Sequence, residues 1–162
     1  MSKNILTSLL FACMLLISYT GFSQDQAAKD EKILTDYFAK NNIKATRTKS
    51  GLYYTIHQPG TGENAKPGQN VSMNYLGKFL DGKTFDGNID ANYTRVAGRD
   101  VFTFPLGGHR VISGWDEGVQ LLNKGCRATL YLPSAIGYGA NGGGPIPANS
   151  VLVFDVEVVA IN

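Results

Sequence analysis

The chain has 162 residues, 17% of them charged, with 15 Lys and Arg against 13 Asp and Glu for a formal net charge of +2. That length suits one domain with a sizeable core, and the basic residues are scattered, not gathered into a stripe, which argues against a nucleic-acid partner. Cys126 is the one cysteine outside the N-terminal apolar run, so packing and not an internal disulfide must hold the domain.

The chain opens on Met1-Ser2-Lys3-Asn4, then fifteen residues from Ile5 to Tyr19 without a charge, then Thr20-Gly21-Phe22-Ser23. A basic start, an apolar core too short to span a bilayer comfortably, and small residues at Gly21 and Ser23 read as a signal peptide over residues 1–23, cleaved before Gln24. The alternatives are an uncleaved anchor or a lipoprotein acylated at Cys13, whose preceding Leu10-Phe11-Ala12 loosely resembles a lipobox. An exported chain of the periplasm or cell envelope is expected.

Next, Gln26 to Asn42 carries Ile33, Leu34, Tyr37 and Phe38 among Lys, Asp and Glu, the pattern of an amphipathic helix. Residues 24–50 are therefore an N-terminal helix and linker. The apolar face could dock on the following domain, pair with a second copy in a homodimer, or act as a spacer.

From Leu52 onward the period changes to two. "LYYTIHQ", the Val71, Met73 and Tyr75 alternation, and "VFTFPL" read as strands. In "RATLYL", Ala128, Leu130 and Leu132 oppose Arg127, Thr129 and Tyr131. In "VLVFDVEV", Leu152, Phe154, Val156 and Val158 oppose Val153, Asp155 and Glu157. Strands with one apolar and one wet face imply an antiparallel sheet, whose dry face needs a cover. The candidate cover is Val111 to Leu122, with Ile112, Trp115, Val119 and Leu122 in one stripe. A helix this short is marginal alone, so the sheet must hold it, with the only tryptophan as a floor between the two.

Between Ala128 and Phe154 no residue carries a charge, and the middle of that stretch, "AIGYGANGGGPIPANS", is a long loop with Tyr138 and Ile146. Long ordered loops in compact domains are usually functional, and an uncharged one suits an apolar ligand with a carbonyl to hold. Its glycines lack the Gly-Lys-Ser/Thr of a phosphate cradle. There is no Gly-x-Ser-x-Gly, and His57 and His109 are the only histidines, so neither nucleophile, metal nor cofactor is expected.

Four stretches, "GQNVSMNYLGKFLDGKTFDGN" (68–88), "FTFPLGGHRVISGWDEGVQLLNKGCRATLYLP" (102–133), "YGANG" (138–142) and "IPANSVLVFDVEVVAI" (146–161), resemble the FKBP-type peptidyl-prolyl cis-trans isomerases in order and joint spacing. The resemblance covers residues 51–162, read as the isomerase domain. It implies an α+β fold: a twisted antiparallel sheet of five to six strands wrapped around one short helix, here preceded by the N-terminal helix. It implies isomerisation of X-Pro bonds in proline-containing polypeptides, and macrolides of the tacrolimus and rapamycin type in the same pocket. By the family pattern Asp86, Trp115, Tyr138 and Phe154 are catalytic, and Tyr75, Phe85, Phe102, Val111, Ile112 and Ile146 bind substrate. The tyrosine hydroxyl and the Ile112 N–H would donate to ligand carbonyls.

Read singly, Trp115 and Phe154 could be core aromatics, Tyr75 a structural phenol and Asp86 a turn residue. Phe104 has core spacing. The fifteen residues between Asp86 and Phe102 exceed the minimal family pattern and edge the pocket. The glycine loop lacks the histidine or second aromatic found near Gly143 in some members, so weaker macrolide binding is expected. The alternative function is a non-catalytic module or chaperone gripping proline-containing segments.

Overall fold

A computed structural model of the protein describes residues 24–162. The expected leader, residues 1–23 with Cys13, lies outside the described residues. Helix α1 (24–41) leads into β1 (Thr46–Arg47), β2 (Tyr53–Gln58), β3 (Thr61–Asn64), β4 (Asn70–Lys78), β5 (Thr84–Gly87) and β6 (Phe102–Pro105). Helix α2 (Ser113–Gly118) follows, then β7 (Asn123–Lys124), β8 (Arg127–Leu132) and β9 (Leu152–Ile161).

Seven strands form one antiparallel sheet in the order β1-β2-β8-β9-β4-β5, with β6 also paired to β4, while β3 and β7 make a separate ribbon. The count exceeds the expected five to six because short edge pieces such as the two-residue β1 add to the sheet. Its spine is β9, registered against β4 from Val71↔Ile161 to Lys78↔Val153 and against β8 from Arg127↔Glu157 to Leu132↔Leu152. The inner face supplies Val71, Met73, Leu130, Leu132, Leu152 and Val156, all buried.

Helix α2 crosses that inner face and is shorter than the sequence pattern suggests. Ile112 is extended (φ −59°, ψ 144°), and beyond Gly118 the chain tightens into a 3₁₀ turn over Val119–Leu121. Trp115, Val119 and Leu122 are buried as the stripe requires, while Ile112 is only half-buried. The carboxylate of Asp116, itself buried, accepts from the N–H groups of Gly107 (2.9 Å) and His109 (3.0 Å) and so ties the incoming loop to the helix.

The outer face is not uniformly wet, a correction to the alternation seen in sequence: Thr129, Tyr131 and Val153 are buried. For Tyr131 and Val153 the cause is α1, which lays Leu34 and Phe38 on Tyr53, Tyr131, Val151 and Val153. The Phe38 ring lies 4.9 Å from both the Tyr53 and Tyr131 rings. Asp30, fully buried, accepts from the Ser134 N–H (2.8 Å) and hydroxyl (2.6 Å) and fastens the helix to the chain leaving β8. Away from α1 the same face is polar. Asp155 takes Lys78 (2.5 Å) and Thr129 (2.7 Å), and Glu157 takes Arg127 (2.7 Å) and Asn74 (2.9 Å). Among the described residues no helix is long and apolar enough to cross a membrane.

Candidate active site

Where α2 meets the sheet, a hollow of about 480 Å³ opens, within the range of ligand pockets. Trp115 is its floor. The rings of Tyr75 (5.0 Å, 76°), Phe154 (5.2 Å, 81°) and Phe102 (5.8 Å, 73°) stand nearly upright around the indole, edge to face. Upright walls keep the rings from collapsing on one another, so the space above the indole stays open. The Trp115 N–H is buried without a hydrogen-bond partner among the described residues, which leaves the floor without a polar contact.

Strand register brings the walls together. Gly77 on β4 faces Phe154 on β9 and Asp86 on β5. A Cβ on Gly77 would lie 2.6 Å from the Phe85 ring and 2.9 Å from that of Phe154, so the missing side chain is what admits both. Phe85 then stands against Phe154 at 5.6 Å and 87°.

The rim carries the polar groups. Asp86 accepts from the Tyr75 hydroxyl (2.7 Å) and the Gly87 N–H (2.8 Å), with the Arg99 guanidinium at 3.5 Å. Burial, and then the bond to Asp86, push the Tyr75 phenol above its ordinary range, so it remains a donor. Tyr138, 39% exposed, leans in from the loop between β8 and β9. A Cβ at Gly143 would come within 2.9 Å of its ring, and the Gly143↔Ile146 bridge closes the turn beneath it. Among the described residues the Ile112 N–H donates to no backbone carbonyl.

Nine of the ten residues singled out in the sequence line this hollow: Tyr75, Phe85, Asp86, Phe102, Val111, Ile112, Trp115, Tyr138 and Phe154. Ile146 is 5% exposed, packs in the main core and is not among the lining residues; its backbone shapes the Tyr138 loop instead. Arg110 also lines the hollow and was missed. Its position directly before Val111 was the only signal available, and periodicity says nothing about an exposed rim residue.

The model of the FKBP-type peptidyl-prolyl cis-trans isomerases matches residues 61–159. The chain belongs to this family. It is 42% identical over 137 residues to the FKBP-type isomerase FkpA of Aeromonas hydrophila, an alignment covering 83% of this chain and 48% of that protein. To FkpA of Escherichia coli K12 it is 36% identical over 137 residues, 85% of this chain and 47% of the relative. The chain thus spans about half the length of these curated relatives. The crystal structure of Escherichia coli FkpA superposes with a TM-score of 0.68 at 30% identity, covering all of this chain and 74% of that one. That of a peptidyl-prolyl cis-trans isomerase from Pseudomonas syringae gives 0.66 at 29% identity, covering 83% and 95%.

Proposed function

We propose that the protein is a peptidyl-prolyl cis-trans isomerase acting on X-Pro bonds of exported polypeptides, with residues 51–162 as the isomerase domain and residues 24–50 as its docked helix and linker. The observation that carries this reading is the open, indole-floored hollow with upright aromatic walls. Rotating a tertiary amide opposes resonance with a barrier of about 18–20 kcal/mol and takes tens of seconds or longer unaided. A twisted amide loses its conjugation and much of its dipole, so a desolvated aromatic pocket favours it over the planar ground state. Lowering the barrier by about 6 kcal/mol accelerates rotation by roughly four orders of magnitude.

In this reading the proline ring sits on Trp115 between Tyr75, Phe102 and Phe154, with Phe85, Val111 and Ile112 completing the apolar enclosure. Asp86, held by Tyr75 and Gly87, orients the substrate backbone. Tyr138 and the Ile112 N–H donate to its carbonyls. Tacrolimus-type and rapamycin-type macrolides compete for the same space. The leader over residues 1–23 routes the protein to the periplasm or cell envelope, which the mass of the exported protein checks against acylation at Cys13. A homodimer through α1 would have to use what remains of its surface, since Leu34 and Phe38 are spent on the sheet of their own chain; light scattering reads the outcome.

The test is a protease-free isomerisation assay on an Ala-Leu-Pro-Phe peptide. Wild-type protein should accelerate exchange, and Asp86→Val and Phe154→Ala should each lower kcat/KM by about tenfold or more, ~1.4 kcal/mol or above. Equal rates with and without wild-type protein would leave only a proline-binding module.

A further inference from the structure

We propose that residues 88–101 build a second, adjoining subsite that takes an apolar side chain of the same polypeptide a few residues along from the proline. The inference rests on the isomerase reading of the first hollow. A second hollow of about 440 Å³ shares Phe85 and Asp86 with the first, and its far wall is Ile89, Asp90, Ala91, Val96 and Arg99. An extended peptide advances about 3.3 Å per residue, and the shared Phe85 and Asp86 put this wall beside the path of residues that flank a proline seated on Trp115.

The wall is prebuilt. Asn88 accepts from the Tyr75 N–H (2.7 Å) and donates to the Asp100 carbonyl (2.9 Å), pinning both ends of the segment to β4 and to each other. Ile89 bridges Arg95, and Asp90 accepts from the N–H groups of Asn92 (2.8 Å) and Thr94 (2.9 Å). At the tip the Tyr93 ring lies under the Arg127 guanidinium, 4.7 Å away, on the outer face of the sheet. A segment tied at its base, middle and tip keeps its shape without ligand and costs little ordering when one arrives.

That rigid segment leaves Val96 43% exposed. A single exposed valine is ordinary; one that walls a hollow sharing Phe85 and Asp86 with the site is positioned to be covered by ligand. Arg99 and Asp86 at the shared rim face each other at 3.5 Å, and the Asp90 carboxylate is taken up by the Asn92 and Thr94 N–H groups, so the lining charges make little demand for an ionic partner. The occupant that fits is therefore an apolar side chain.

The experiment extends the tetrapeptide by three residues on each side and scans Leu, Ser and Glu through the added positions, using the full chain. Leu at one offset should raise kcat/KM over Ser by several-fold, up to about tenfold. Val96→Glu should abolish that gain and leave the unextended tetrapeptide's rate unchanged, which also reports that the variant folds. A flat scan, a gain that survives Val96→Glu, or a preference for Glu over Leu overturns the proposal. Should the tetrapeptide itself show no acceleration, the isomerase reading falls; the same scan, read as binding through the fluorescence of Trp115, still decides the subsite.

Discussion

Gly114 and Gly118 flank the indole one helical turn apart, and both face β8. A Cβ on Gly114 would lie 2.5 Å from Leu132 and 3.1 Å from the Ile136 carbonyl oxygen; one on Gly118 would lie 2.8 Å from Leu130. The two glycines let α2 press onto the strand closely enough for Trp115 to reach the pocket floor. Gly114→Ala is therefore expected to destabilise the fold by about 1–3 kcal/mol through overpacking, despite alanine's better helix propensity. Urea unfolding checks it, and a stabilised variant would contradict the close approach. At this scale the choice between core and pocket for Trp115 and Phe154 also resolves: both are at most 5% exposed, yet both line the hollow. Such a residue serves as core on one face and wall on the other, and residue type alone cannot separate the two.

Among the elements, α1 changes the most between sequence and structure. Its periodicity marks an apolar face but not what the face covers; the sheet's outer surface, with Tyr53, Tyr131 and Val153, supplies the answer. Asp30 makes the attachment specific. Truncating it to alanine leaves the buried Ser134 N–H and hydroxyl without their acceptor, an expected loss of about 1–3 kcal/mol by urea unfolding. An unchanged midpoint would show that the pair contributes nothing net. Ser134 opens the turn that leads to Tyr138, so this helix also anchors the start of the pocket loop.

Among the described residues of the whole molecule, four tyrosines are held protonated beyond their ordinary range, each chiefly by burial. Tyr75 is further raised by Asp86 and Tyr53 by Glu31, Tyr131 is raised by burial, and Tyr93, which burial and then Asp155 raise against Arg127, is pushed up to about 12. A folded-state value above the unfolded one means that the native protein binds these protons more tightly. Their contribution to stability is therefore complete below the unfolded phenol value of about 10 and is lost as pH rises above it. The urea midpoint should fall with rising pH in that alkaline window, and more gently in Tyr75→Phe. Parallel slopes for the two proteins would remove Tyr75 from the linkage.

The alternation of β4, β8 and β9 and the Trp115 stripe were legible in the sequence because side-chain period follows directly from backbone geometry. Residue order and spacing also carried the family, and with it nine of the residues around the hollow. Other features depended on contacts between segments far apart in the chain: α1 drying part of the outer face, Ile146 turning into the core, Arg110 reaching the rim, and residues 88–101 walling a second hollow. Local patterning states which surfaces are apolar. Which partner covers each surface, and where a hollow is left uncovered, is decided only when the chain packs in three dimensions.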